Sequence, residues 1–304
     1  MKQLFQSLSN GNTYLDEVPI PSLTKGRLLI KTKASLLSSG TERMLIEFGK
    51  ANIIDKARQQ PEKVKEVINK INNDGIKSTY EAVKSKLDLP IPLGYCNVGE
   101  VIEVGEDISE FKKGDRVISN GSHSEVVCIP KNLCSLIPEN VSNHRAVFTV
   151  PSAIALQGIR LANPTFGEKF IVIGLGLIGI LTSQILLAQG CEVYGIEKDS
   201  KKCEFAKSLG IKVFDLSKDA NPVNWSLNIT NNIGVDGVLI AASTSSSEPI
   251  NSAAAMCRKR GRIILIGSTG IDIGRDNFYK KELTFKVSCS YGPGRYDQNY
   301  ENKG

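Results

Sequence analysis

The sequence predicts a two-domain α/β protein, a β-rich first half followed by a doubly wound parallel sheet. Three observations carry this reading. The first half is dense in β-branched residues punctuated by Gly105 and Gly114; the second alternates short apolar runs with helical stretches; and the run from Lys169 to Asp199 packs strand, glycine turn, helix, strand and terminal acid into one unit. A length of 304 residues is enough for two domains with a sizeable core. The boundary is placed so that residues 1–148 form the first domain and residues 149–288 the second, leaving 289–304 as the start of a return segment.

Taken in order, residues 26–37 (GRLLIKTKASLL) and 98–118 (VGEVIEVGEDISEFKKGDRVI) read as strands of a mostly antiparallel body, and residues 121–138 continue in the same style. Residues 44–89 break the pattern. Pro61 suits a first helical position, Val64, Val67, Ile68 and Ile71 recur at helical spacing, Asn72–Gly75 is a turn, and Ile76, Tyr80, Val83 and Leu87 form a second stripe before Pro90. The spacing predicts a helical hairpin inserted into a β domain. Further on, a helix from Asp199 or Ser200 to Leu209, strands at Ile211–Phe214, Val235–Ala242, Arg262–Gly267 and Leu283–Ser288, and a helix over Pro249–Arg260 complete the alternation. Such alternation implies a right-handed, doubly wound parallel sheet.

The turn inside Lys169–Asp199 defines a ligand. Phe170–Ile173 is an apolar strand of the kind covered on both faces. Gly174, Gly176 and Gly179 then give G-x-G-x-x-G, whose glycines serve a tight turn, close approach of backbone to a pyrophosphate, and close packing of helix on strand. The N–H groups opening the next helix, at Leu177 and Ile178, face the phosphates. Glu197 closes the second strand, Cys191–Ile196, where an acid accepts hydrogen bonds from ribose hydroxyls, with Lys198 beside it. The cofactor expected is NAD, with NADP disfavoured by the Glu197 carboxylate.

Composition excludes several other classes. With 41% hydrophobic and 23% charged residues the chain is an ordinary globular protein. Its net charge of +6 is concentrated between Lys50 and Lys86, where nine basic and five acidic residues surround a single aromatic, Tyr80. That pattern suits a solvated helical face better than base stacking, so no nucleic-acid partner is expected. Seven cysteines without a C-x-x-C pair suggest neither a disulfide framework nor a zinc finger. Phe170–Ala188 has the length and apolarity of a membrane span. Its glycines, the polar Thr182, Ser183 and Gln184, and the lack of a flanking positive cluster argue against insertion. The N-terminus lacks the apolar core of a signal peptide, so a cytoplasmic location without membrane partners is expected.

Together these pieces resemble the medium-chain dehydrogenase/reductase superfamily, the zinc-type alcohol dehydrogenases and their relatives. The resemblance is carried by Gly99–Val117 (GEVIEVGEDISEFKKGDRV), by the glycine turn at its expected remove, and by the tail from Gly261–Gly267 to FYKKELTFKVS. It implies a GroES-like β-rich catalytic domain followed by a Rossmann nucleotide-binding domain. It also implies three zinc ligands that this chain lacks. The Cys-Gly-Thr-Asp-like stretch reads Ser39, Gly40, Thr41, Glu42; Gly-His-Glu reads Gly94, Tyr95, Cys96; and the third ligand position aligns with Thr149. The cysteines of a structural zinc lobe are absent as well, and no metal is expected. Cys96, Glu42 and His123 are a conceivable alternative ligand set, against which His123 reads as a loop or packing histidine and Cys96 as a small buried residue. Ser39–Arg43 is similar to a subgroup that includes bacteriochlorophyllide dehydrogenases and two-domain oxidoreductases of bacterial polysaccharide clusters. Family members run on past this chain's last residues, so a truncated catalytic domain, or the front part of a longer protein, is expected.

Without zinc, hydride transfer needs another way to handle charge on the substrate oxygen. Thr41 stands at the position of a proton-relay hydroxyl, Tyr95 brings a phenol to a ligand position, and Glu42 adjoins them. Thr41, Tyr95 and Glu42 are therefore the candidate catalytic residues, acting on an alcohol or carbonyl substrate. Two alternatives stand beside this: a zinc-free quinone or enoyl reductase, and a non-catalytic dinucleotide-binding portion of a larger protein. A small-molecule substrate is the expected partner, with a homodimer or a further C-terminal domain in addition.

Overall fold

The computed structural model describes residues 1–59, 63–67, 83–295, 297 and 300. They fall into two compact units, Met1–Thr149 and Val150–Gly304.

The first unit is a β body with helices inserted after its third strand. Its strands and helices are β1 (Lys2–Gln6), β2 (Thr13–Glu17), β3 (Arg27–Ser35), α1 (Ser39–Lys50) and α2 (Ile53–Gln59). Residues 63–67 (α3) and 83–88 (α4) are helical. Then come β4 (Ile91–Pro92), β5 (Asn97–Val104), β6 (Arg116–Ser119), β7 (Val126–Pro130), β8 (Cys134–Leu136) and the short α5 (Asn143–Ala146). Five strands pair in the order β7-β3-β5-β6-β8 and three in the order β2-β1-β4, with every pairing antiparallel. Pleating turns Leu28 and Ile30 of β3 into a core with Val101, Ile108, Val117 and Val127, while Lys31 and Lys33 stay exposed.

Two expectations need adjusting here. The helical insertion starts at Ser39 rather than at residue 44, because Ser38 is extended (φ −98°, ψ 93°) and the Glu42 carboxylate folds back onto its N–H. Pro61, Ile68, Ile71, Asn72–Gly75, Ile76 and Tyr80 lie outside the described residues. β1 and β2 had no clear signal, since β2 is exposed along its whole length. Gln6 explains how polar β1 can be buried: its amide donates to Ser7 O and accepts from Thr13 Oγ1.

The second unit opens with α6 (Thr149–Ala162), an element the sequence reading passed over. Pro151 and Gly158 look like breakers there, yet Pro151 lies in the first turn, where a missing N–H costs nothing, and Gly158 is the seat for Ile266. Then follow β9 (Lys169–Ile173), α7 (Leu177–Ala188), β10 (Glu192–Glu197), α8 (Ser200–Ser208), β11 (Lys212–Asp215) and α9 (Pro222–Asn228). β12 (Val235–Ile240), α10 (Glu248–Met256), β13 (Cys257–Leu265), α11 (Arg275–Lys281) and β14 (Thr284–Val287) complete it.

All six strands run parallel in the order β11-β10-β9-β12-β13-β14. Alternate residues of β9 feed opposite faces: Ile171 and Ile173 join a cluster with Ile250 and Met256, whereas Phe170 and Val172 join one with Leu186 and Ile159. Both faces are therefore covered, which is why the strand reads as a continuous apolar run. Strand order reverses between β9 and β12. In open α/β sheets a ligand crevice lies at that switch, outside the carboxyl ends of the strands.

The helix expected over Pro249–Arg260 ends early. Cys257 pairs with Val235 as the first residue of β13, Arg258 Nε donates to Asp236 at 2.6 Å, and Arg260 has φ +60°, which no α-helix accommodates. Among the described residues no helix is long and apolar enough to cross a membrane.

Candidate functional site

The crevice at the end of β9 is built from backbone. Gly174 has φ +89°, and a Cβ there would lie 2.7 Å from Ala242 N, at the foot of the neighbouring strand. A Cβ on Gly179 would strike the carbonyl oxygen of Gly174. Turn and helix packing thus require both glycines. Gly176 is different. Its φ of −75° is open to any residue, a Cβ there would meet nothing within 4 Å, and it is exposed at the N-cap of α7 with no side chain capping the helix. The space beside Gly176 is open to a group from outside the chain. The N–H groups of Leu177, Ile178 and Gly179 open α7 beside that space and, as first-turn donors, have no intrahelical acceptor.

Glu197 stands at the end of β10, as expected, but its carboxylate does more than wait for a ribose. Oε2 accepts from Leu175 N–H at 2.8 Å, and Oε1 accepts from Lys198 N–H at 2.8 Å and Asp199 N–H at 3.1 Å. A carboxylate offers about four lone-pair sites, so one remains on Oε2 for a ribose hydroxyl. The residue is buried and ties the glycine turn to the start of α8, whose N-cap, Asp199, accepts from Lys201 and Lys202 N–H. Lys198 is exposed beside it.

In the first unit the structure gathers Glu42, Tyr95 and His123 around the turn at Gly94. Glu42 is buried on α1; its Oε1 accepts from Ser38 N–H at 2.9 Å, and His123 Nε2 lies 3.2 Å from Oε1 and 3.3 Å from Oε2. The other face of that imidazole meets Ser35 Oγ at 2.8 Å through Nδ1. His123 is thus a hydrogen-bonded bridge rather than simple packing. Tyr95 is half-buried, and its hydroxyl donates to Ser38 Oγ at 2.9 Å. Thr41 points to solvent from the first turn of α1, so the hydroxyl that meets Tyr95 is that of Ser38. Sequence reading missed Ser35 and Ser38. The Ser38–Glu42 spacing is one residue longer than the S-x-x-E of a capping box, and Ser35 carries no motif.

With this geometry the molecule is an α/β protein of two units, a GroES-like β body and a dinucleotide-type parallel sheet. The alcohol dehydrogenase GroES-like domain model matches residues 63–158 and the zinc-binding dehydrogenase model matches residues 178–302. The chain belongs to the medium-chain dehydrogenase/reductase superfamily. It is 29% identical over 157 residues to (R,R)-butanediol dehydrogenase of Bacillus subtilis (strain 168), covering 42% of this chain and 45% of that protein. To D-guloside 3-dehydrogenase of Escherichia coli (strain K12) it is 29% identical over 209 residues, covering 65% of this chain and 59% of that protein. The match thus spans about half the length of these curated relatives. The crystal structure of 2R,3R-butanediol dehydrogenase from Bacillus subtilis superposes with a TM-score of 0.74 at 22% identity, covering 95% of this chain and 84% of that one. The family is NAD(P)-dependent.

The dinucleotide fits the residues present: a side-chain-free approach at Gly176, free first-turn donors, and an acid at the strand end. Zinc does not. Ser39, Tyr95 and Thr149 offer hydroxyls where thiolate or imidazole would be needed, and Thr149 Oγ1 is bonded to Ala146 O at 2.7 Å. Cys96 is fully buried, and burial, with the Glu42 charge adding to it, pushes its thiol up to about 12, away from the thiolate that binds metal. Among the described residues no three His, Cys, Asp or Glu side chains converge as a ligand set.

Proposed function

We propose that the chain is the cofactor-binding and oxygen-polarising part of an NAD(H)-dependent oxidoreductase. It transfers hydride between nicotinamide and the carbon of a small alcohol or carbonyl compound without catalytic zinc. The observation that carries this is the Gly174–Gly179 turn at the end of β9, with an unobstructed Gly176 beside the first-turn N–H groups of α7, where a pyrophosphate can approach the backbone. The relatives, named for oxidising butanediol and a guloside, favour a vicinal diol or sugar hydroxyl over an isolated alcohol.

Gly174–Gly179 would hold the pyrophosphate of a bound dinucleotide and Glu197 would take a ribose hydroxyl. The bound nicotinamide supplies or accepts the hydride. In the first unit Tyr95 is the candidate group to polarise a substrate oxygen with its phenol. Its O–H is directed at Ser38 Oγ; with Ser38 turned to donate to the phenol oxygen, the Tyr95 O–H is free to stabilise negative charge developing on a substrate oxygen. Glu42 keeps Ser38 in place through the backbone N–H.

Titration of the protein with NADH, followed by fluorescence, and assay with (2R,3R)-butanediol, xylitol, methyl glucoside and an enone test the reading. Binding with diol oxidation supports it. Turnover of the enone alone would transfer the protein to the double-bond reductases. On the true substrate Tyr95→Phe is expected to lower kcat by about 100-fold, the scale of a positioned acid or base, with NADH affinity unchanged. Full activity in that variant would reduce Tyr95 to packing.

Metal content gives an independent check. Hydroxyl side chains do not hold zinc with the affinity of thiolate and imidazole. Elemental analysis after dialysis is expected to find zinc far below one per chain. A stoichiometric ion would point back to Cys96, Glu42 and His123.

A further inference from the structure

β7 closes one side of the five-stranded sheet, pairing there with β3 alone. Antiparallel neighbours exchange hydrogen bonds at every second residue. Thr32 N–H donates to Glu125 O at 2.9 Å and Lys131 N–H to Gly26 O at 3.0 Å, which sets the phase. Val127 and Ile129 bond to β3, and the N–H and C=O groups of Val126 and Cys128 point the other way. Among the described residues only one of those outward groups has a partner, the Cys128 carbonyl, which accepts from Arg27 Nη1 at 3.1 Å. The rest is an open strand edge.

A groove of about 540 Å³ runs along this edge. Val126–Ile129 all line it, and successive side chains of a strand point to opposite faces, so a space touched by all four lies beside β7 and not over one face. Val18, Pro19 and Pro21 also line it. Proline has no N–H to give a ladder, so the segment leaving β2 cannot pair with β7 as a strand would, and the edge stays open. Exposed edges are normally blunted by charged side chains. Val126–Ile129 carry none.

The charge of the groove is one-sided. No aspartate or glutamate lines it, whereas Arg27 does, exposed and without a carboxylate partner among the described residues. Glu125, the acid next to Val126 in the chain, has its Oε2 on Lys2 N–H at 2.8 Å. A guanidinium has five N–H donors, and the bond to Cys128 O uses one of them. An extended chain meets all of these features at once. Its N–H and C=O groups match those of Val126 and Cys128, its alternate side chains reach the apolar wall, and a carboxylate on it reaches Arg27.

We propose that the outer edge of β7 is a docking groove for an extended acidic peptide segment of a partner protein, which adds to the sheet as a further strand. Main-chain bonds to Val126 and Cys128 supply affinity that tolerates many sequences, and Arg27 selects a segment that carries aspartate or glutamate. The groove lies wholly within the first unit and takes nothing from the dinucleotide crevice.

Two labelled peptides of alternating valine and threonine serve as probes, one with a glutamate at each end and the other with glutamine in those places. Fluorescence anisotropy with the whole chain is expected to show saturable binding of both, the glutamate peptide about ten-fold tighter, the scale of a hydrogen bond to a charged group. Arg27→Gln is expected to abolish that preference. Cys128→Pro deletes an N–H that β3 does not use, which an edge strand tolerates, and is expected to lose both peptides. Hydrogen exchange on the wild type decides the matter if Cys128→Pro does not fold: the Val126 and Cys128 amides are expected to become protected when the glutamate peptide is added. Absence of saturable binding, a preference that survives Arg27→Gln, or amides that the peptide leaves unprotected overturns the proposal. So does a wild-type chain that sediments as a dimer with those amides already protected, which would give the edge to a second copy.

Discussion

Gly176→Asp is expected to abolish measurable binding of NADH and NADPH while the protein stays folded. No atom lies within 4 Å of a Cβ at 176, and a φ of −75° suits aspartate, which is also a good N-cap residue. Stability should therefore move by no more than about 0.5 kcal/mol, as at an ordinary surface site. The ligand is what the new side chain meets. A carboxylate about 4 Å from a pyrophosphate charge, at an effective dielectric near 20, costs about 4 kcal/mol, or roughly a thousand-fold in affinity, before steric exclusion is counted. Gly179→Ala makes the contrast. Its Cβ would collide with the Gly174 carbonyl, so that variant is expected to lose both binding and several degrees of Tm. Fluorescence titration and thermal melts on the two variants separate the cases, and a Gly176→Asp protein that still binds NADH would remove the pyrophosphate from this turn.

The same contrast explains how much of the site was legible from the residues. In the second unit β9 and β12 declared themselves because they are buried along nearly their whole length, and α8 because Asp199 caps it. The short α9 and α11 went unread, and β14 is largely exposed. Where tertiary contacts decided, the reading slipped. Cys257–Arg260 has helix-compatible residues but is taken by pairing with β12 and by the Arg258–Asp236 bond. α6 was obscured by Pro151 and Gly158, whose permission comes from helix position and from Ile266. In the first unit the replaced ligand positions were readable by resemblance. What now surrounds them was not, since Ser35, Glu42 and His123 come from β3, α1 and the loop before β7, and no local spacing foretells that they meet. Glu197 shows the opposite limit: the residue was found, but its bonds to three backbone N–H groups depend on how the turn folds over it.

Those three bonds give Glu197→Gln two effects, on stability and on cofactor choice. Glutamine has one acceptor oxygen and an NH2 group in place of two acceptors. If its oxygen takes Lys198 and Asp199 N–H, the NH2 faces Leu175 N–H; if it turns round, the NH2 faces the other two. Either way a buried donor is left opposite a donor, at a cost of about 1–3 kcal/mol. For a chain of this size that is a fall in Tm of several degrees. The wild-type protein is expected to bind NAD(H) more tightly than NADP(H), because the Oε2 lone pair left over accepts a ribose hydroxyl and the charge repels a 2′-phosphate. Lys198 and the two lysines after Asp199 offset that repulsion in part, so the preference rests on the one carboxylate and should fall towards unity when it is neutralised. Titration of both proteins with both cofactors, alongside thermal melts, checks the two effects separately. Equal or tighter NADP(H) binding by the wild type would end the NAD assignment, whereas an unchanged Tm in Glu197→Gln would mean that the carboxylate does not hold the glycine turn. If Tm falls and discrimination is lost together, Glu197 both shapes the pyrophosphate turn and reads the ribose beside it.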